Sequence, residues 1–321
     1  MQTFEQLSRQ FALYFEQPHF PESPATLYGP NLYFLQMGGK RVRPVLCLMG
    51  NELFDEIGDN AWNAATAVEL FHNFTLIHDD IMDKAPLRRG FQTLHTKYGE
   101  STAILGGDVM LVTAYAQINK ITVSFLPQIL QLFNTTAREV CEGQQLDMDF
   151  EKQEKIGLDA YLRMIELKTS VLLAASLKMG AILGGAGERN QNLIYEFGKK
   201  LGLAFQVQDD YLDAFGDPAK FGKQVGGDIL ANKKTFLLIH ALETASNSQL
   251  MQLKELLQSN GPDKVEKALQ LFRDCKVDDW ALALKNKFLD EALAHLDDIA
   301  VVSKRKEPLK ELAQFLVQRE Y

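Results

Sequence analysis

Apolar residues recur along this chain at helical spacing and almost nowhere at strand spacing. Between residues 62 and 82 they fall at Val68, Phe71, Leu76 and Ile77, the pattern that lines one face of a helix. The stretches 101–119, 125–148, 159–183, 190–215, 232–245, 248–258, 263–274, 278–299 and 307–319 behave alike, and residues 1–17 read as a further amphipathic helix. No sustained Val, Ile or Thr alternation bounded by turns is present. Breaks fall at Pro and Gly clusters: 18–30, 84–96, 184–187, 216–227 and 260–262. A length of 321 residues is compatible with two domains at roughly 150 residues each. The breaks are short and evenly spread, however, and none is a linker. The expected architecture is all-α: one large helical bundle over 1–321, built from about ten helices.

The formal net charge is −8 and the pI about 5.4, which speaks against a nucleic-acid partner. The three cysteines, Cys47, Cys141 and Cys275, lack metal-ligand spacing and suit a reducing compartment. The N-terminus lacks the basic start and small-residue cleavage site of a signal peptide. The most apolar stretch, 171–187, is interrupted by Lys178 and rich in Gly and Ala. It reads as a close-packed buried helix, short of the roughly 20 apolar residues of a membrane span. No membrane span and a cytoplasmic location are therefore expected.

Asp79-Asp80-Ile81-Met82-Asp83 closes the apolar run of 62–82. On a helix Asp79 and Asp83 share a face, with Asp80 beside them. Carboxylates this close repel and would take up protons unless a cation intervened. Mg²⁺ suits such a place, because it takes one or two carboxylates and completes its shell with phosphate oxygens and water. One such cluster also fits a solvated helix end. Gln206-Val207-Gln208-Asp209-Asp210-Tyr211-Leu212-Asp213 repeats the spacing at the end of a second apolar helix. Two motifs together fit a small Mg²⁺ cluster around one diphosphate.

Cationic groups accompany them. Gly38-Gly39-Lys40-Arg41-Val42-Arg43-Pro44 combines glycines, which permit close backbone approach, with basic side chains suited to phosphate oxygens. Arg88-Arg89-Gly90 follows the first acidic motif and would either neutralise it or grip the diphosphate. Lys168-Thr169 lies inside an apolar helix, and Lys223, Asp228 and Lys233 follow the second acidic motif. Lysines there fit charge stabilisation of a departing diphosphate. The constellation implies two diphosphate sites, one reached through metal and one by direct contacts, flanking an apolar cavity in the bundle core.

These six ordered motifs, from about residue 38 to residue 235, resemble the trans-isoprenyl diphosphate synthase (polyprenyl synthetase) family. The resemblance implies Mg²⁺ ligation by Asp79, Asp83 and Asp209, supported by Asp80, Asp210 and Asp213. It implies that Arg88, Lys168 and Lys223 contact an allylic diphosphate. Lys40, Arg43, His72 and Arg89 would bind isopentenyl diphosphate. Gln206, Lys233, Thr169, Gln144 and Asp147 match further pocket positions, and Asp228 a position that orders the loop around Lys223. It also implies a homodimer. One departure is Phe91-Gln92-Thr93 after the arginines, where the family often has Pro then Thr.

A chain growing from Asp79 toward the helix N-terminus gains about 5.4 Å per turn, close to one isoprene unit. Phe74 would act as a floor and Phe71 as a second one, against long products. By family analogy, bulky Phe74 beside small Thr75 suggests a twenty-carbon product, geranylgeranyl diphosphate, with the fifteen-carbon farnesyl product as alternative. Two rivals are weaker. A class I terpene cyclase pairs its aspartate motif with a different triad and has no need of the Lys40–Arg43 group. A regulatory subunit should have eroded carboxylates, and all six remain.

Overall fold

The computed structural model describes residues 1–153, 155–216, 226–259 and 261–318. Its architecture is all-α, as the periodicity requires. The only strands among the described residues form one two-stranded hairpin, β1 (Leu87–Arg88) and β2 (Phe91–Gln92). The chain divides into two compact units. One comprises Met1–Thr135, Ala175–Tyr195 and Ala300–Pro308; the other comprises Thr136–Ala174, Glu196–Ile299 and Leu309–Tyr321. No helix among the described residues is long and apolar enough to cross a membrane.

In the first unit α1 (Phe4–Phe15) starts from a reciprocal cap, Thr3 accepting from the Gln6 N–H while the Gln6 side chain accepts from the Thr3 N–H. Next come α2 (Ala25–Gln36), α3 (Val42–Glu52) and α4 (Asp59–Met82). Beyond the hairpin lie α5 (Leu94–Tyr98) and α6 (Glu100–Ile118). Helix α4 packs against α3 and α6. Small residues Ala61, Ala64, Ala65 and Ala67 are buried along its first half and Leu70, Phe71 and Ile77 further on. Helix α2 corrects the expected break at 18–30. Pro30 lies inside it and forfeits one backbone hydrogen bond. Tertiary contact decides the matter, because Asn31, Phe34 and Leu35 are buried and Asn31 Nδ2 donates to the Gly106 carbonyl at 3.0 Å.

In sequence order the remaining helices are α7 (Leu126–Lys152), α8 (Leu158–Ile165), α9 (Val171–Leu183) and α10 (Glu188–Phe215). After them come α11 (Gly227–Leu230), α12 (Phe236–Thr244), α13 (Asn247–Gln258), α14 (Lys264–Asp274), α15 (Val277–Asp297) and α16 (Ser303–Gln318). The single helix expected over 159–183 is interrupted by a π-helical turn at Glu166–Ser170. Residues 232–235 precede α12 outside any helix, where a helix was expected. In the second unit Tyr161, Phe236, Trp280 and His240 form a ring contact chain, with the His240 and Trp280 rings stacked at 3.7 Å.

Candidate active site

In the first unit the cationic and acidic residues gather at one end of α4. Arg41 is the N-cap of α3 in the left-handed conformation, φ 50°. It pairs with the buried carboxylate of Glu69, and its Nη2 donates to the Leu35 carbonyl at 3.2 Å. Asn73, one turn along α4, donates to Glu69 Oε1 at 2.9 Å. Arg43 Nη1 lies 3.2 Å from His72 Nε2. A guanidinium only donates, so His72 accepts there and is neutral. Loss of hydration, and then the charges of Arg43, Arg89, Arg88 and Arg41, hold its pKa well below the usual range. Burial pushes Arg43 down to about 10, countered by Glu69, so it stays charged at neutral pH. Its buried Nε has no hydrogen-bond partner among the described residues. The Arg89 guanidinium lies over Gly39, where an added Cβ would come within 2.8 Å of it. Lys40 is exposed in the same loop.

The hairpin explains how Arg88 and Arg89 are presented. Arg89 and Gly90 have φ 54° and 82°, the two positive values of a type I′ turn. Arg88 then points back onto the first acidic motif. Its Nε donates to both Asp80 oxygens, at 2.9 and 2.8 Å, and its Nη2 lies 3.7 Å from Asp79. Asp80 is buried, and burial raises its pKa against the pull of Arg88. Asp79 keeps partial exposure and Asp83 is exposed at the helix C-cap. Behind them the Phe74 and Phe71 ring centroids are 5.6 Å apart, Phe71 meets Phe133 at 5.1 Å, and Phe133 meets Tyr115 at 5.1 Å. Thr75 Oγ1 donates to the His72 carbonyl at 2.8 Å.

The second unit holds the other set. The π-turn carries Lys168 and Thr169, an element often found at functional sites. It is pressed against α7 at Gly143, where a Cβ would meet Lys168 N at 2.3 Å. Lys168 Nζ donates to Asp147 Oδ2 at 2.6 Å, and Thr169 Oγ1 to Gln206 Oε1 at 3.3 Å. Gln206 Nε2 donates to Asp210 Oδ1 at 2.9 Å, and the Tyr161 hydroxyl to Asp210 Oδ2 at 2.5 Å. Burial raises Asp210 to about 6, against the opposing effects of Lys233 and Tyr161. Asp213 Oδ2 accepts from the Asp228 N–H at 2.9 Å at the start of α11. Lys233 Nζ is 4.0 Å from Asp228 Oδ1. The buried Gln144 Nε2 has no acceptor among the described residues. Lys223 lies outside the described residues.

Three residues escaped the sequence reading: Glu69, Asn73 and Tyr161. Arg41, read there as one of the basic side chains suited to phosphate, instead pairs with Glu69 and with Asn73 beside it holds the basic loop; an acidic residue inside an apolar run was the available signal for Glu69. Tyr161 gave none, since its partner is remote in sequence.

The middle carboxylates, Asp80 and Asp210, are committed to protein partners, while Asp79, Asp83 and Asp209 are less buried. An oxygen-only donor set fits a hard divalent cation. Among the described residues no three His, Cys, Asp or Glu side chains form a metal centre. A cation held by either motif would complete its shell with phosphate oxygens and water.

The chain is 36% identical over 301 residues to a geranylgeranyl diphosphate synthase of Methanosarcina mazei, covering 93% of this chain and 91% of that one. A crystal structure of a geranylgeranyl pyrophosphate synthase matches with TM-score 0.95 and 42% identity over 100% of both chains. The geranylgeranyl pyrophosphate synthetase of Pyrococcus horikoshii matches with TM-score 0.93 and 32% identity over 98% of each. The polyprenyl synthetase profile matches residues 24–274, and the chain belongs to the polyprenyl synthetase family.

Proposed function

We propose that this enzyme condenses isopentenyl diphosphate with an allylic diphosphate to give geranylgeranyl diphosphate. The family acts with a divalent metal, and Mg²⁺ is the ion that the carboxylate set fits best. Asp79 and Asp83 of the first motif and Asp209 of the second would hold such ions, which would offset diphosphate charge and ease departure of the leaving group. The allylic C–O bond breaks and its electron pair leaves with diphosphate. The alkene of isopentenyl diphosphate forms the new C–C bond, and the released diphosphate takes the proton. Arg88, Lys168, Lys223 and Lys233 would bind the allylic diphosphate and steady its charge. Lys40, Arg43, His72 and Arg89 would bind isopentenyl diphosphate, for which neutral His72 and the unpaired Arg43 Nε are suited.

The observation that carries the product length is the aromatic series Phe74, Phe71, Phe133 and Tyr115. Phe74 lies about 7–8 Å along the helix from Asp79, so the series supports a short product. A homodimer is part of the proposal. Helix α6 exposes Ile104, Leu105, Val112 and Tyr115, at 41%, 56%, 67% and 36%, an apolar face suited to a second copy. Sedimentation as a monomer would remove that part.

The test is product analysis by mass after incubation with Mg²⁺, isopentenyl diphosphate and each of dimethylallyl, geranyl and farnesyl diphosphate. A twenty-carbon diphosphate, lost with EDTA, is expected. A cyclised hydrocarbon, or no condensation with any starter, would overturn the reading.

A further inference from the structure

Lys264 stands where stability alone would not put a lysine. It opens α14 and is 2% exposed, among Leu253, Ala268 and Phe272. The first turn of a helix is the positive end of its dipole, which disfavours a cation, and burying an ammonium is costly. Methionine would fill the same space without either penalty.

Its contact supplies the reason. Lys264 Nζ donates to Asn232 Oδ1 at 2.7 Å, its one hydrogen-bond acceptor among the described residues. Asn232 is left-handed, φ 54°, and immediately precedes Lys233. On the other side of Lys233, the Lys234 ammonium donates to the carbonyls of Phe150 at 2.8 Å and Glu151 at 3.2 Å, and to that of Gln153. These close the C-terminal end of α7, whose last carbonyls have no partner within the helix. Lys233 itself is tied through its N–H to the Asp228 carbonyl at 2.9 Å. The start of α14 also braces the other end of this segment, since a Cβ at Gly226 would meet Val265 Cγ1 at 2.5 Å.

We propose that Lys264 is a positioning residue for Lys233: by gripping Asn232 it fixes the turn that aims the Lys233 ammonium toward Asp228 and the second acidic motif. Lys264 reaches no substrate. The inference rests on the reading above in which Lys233 steadies the diphosphate, and it adds the residue that makes that possible.

The test uses the full chain with Mg²⁺, isopentenyl diphosphate and farnesyl diphosphate. Lys264→Met is expected to lower kcat about tenfold, the usual cost of losing an outer-shell partner, with Tm unchanged or raised. Asn232→Asp, which keeps a partner for the ammonium and tolerates the left-handed conformation, should retain activity. In a Lys233→Ala background, Lys264→Met should cost nothing more. Wild-type kcat in Lys264→Met, a loss that tracks a falling Tm, or losses that multiply with Lys233→Ala would each overturn the inference. A wild-type enzyme that condenses nothing overturns the prenyltransferase reading itself, a result distinct from any of these.

Discussion

The Tyr161 hydroxyl donates to Asp210 Oδ2 at 2.5 Å while Gln206 Nε2 holds Oδ1 at 2.9 Å. Both oxygens of a buried carboxylate are thus fixed by neutral donors, and Asp209 beside it keeps its exposure for a ligand. Tyr161→Phe removes one donor and should raise the Mg²⁺ concentration for half-maximal rate about tenfold, as loss of an outer-shell partner typically does. A Mg²⁺ titration of the condensation rate checks this; an unshifted curve would show that Asp210 needs no such support.

Glu69 connects Arg41 to Asn73 beneath the basic loop. Breaking a buried ion pair outright costs about 3–5 kcal/mol. Glu69→Gln keeps an acceptor oxygen, so a loss of about 1–3 kcal/mol is expected instead. With the loop loosened, KM for isopentenyl diphosphate should rise while KM for the allylic substrate holds. Equal rises in both would contradict this assignment.

Much of this was legible in the sequence because it is local. Helical periodicity marked most elements, and i, i+4 spacing gave the pair Asp79 and Asp83, which are less buried than Asp80. What was hidden depends on partners distant in the chain. The Pro30 helix is decided by Asn31 reaching Gly106, the π-turn at 166–170 by packing against Gly143, and Tyr161 by Asp210. The hairpin at 87–92 was readable in principle, since Arg89-Gly90 supplies the glycine that a type I′ turn favours. Arg88 was left between neutralising the acidic motif and gripping substrate; in the structure it pairs with Asp80, and its grip on the allylic diphosphate is part of the proposal.

Phe74 is the first ring behind Asp79, and Phe71 the fully buried second. Phe74→Ala should shift products by about one isoprene unit or more, since one turn of helix is about 5.4 Å. Phe71→Ala would cost about 3–5 kcal/mol as a core cavity, so Phe74 is the cleaner variant. Mass analysis of the diphosphates decides, and an unchanged distribution would remove Phe74 as the floor.

His72 is held neutral in the fold, with a pKa well below its usual value. The unfolded ring takes up a proton near pH 6.5, the folded ring only at lower pH. Its contribution is therefore intact above about pH 6.5 and is lost as pH falls toward the folded value. His72→Gln keeps an acceptor for Arg43 and removes the titration, so its Tm should fall less than wild type between about pH 7 and 5. Parallel slopes would contradict the assignment.

The central claim is that both acidic motifs serve one ionisation. The most direct measurement is the condensation rate, at saturating Mg²⁺, of Asp79→Asn, Asp209→Asn and the double variant. Each single substitution should cost about a hundredfold or more, and the double little beyond the worse single, because residues acting as a unit are not additive. Losses that multiply, or a single variant that keeps its rate, would show that the two motifs do not share the reaction.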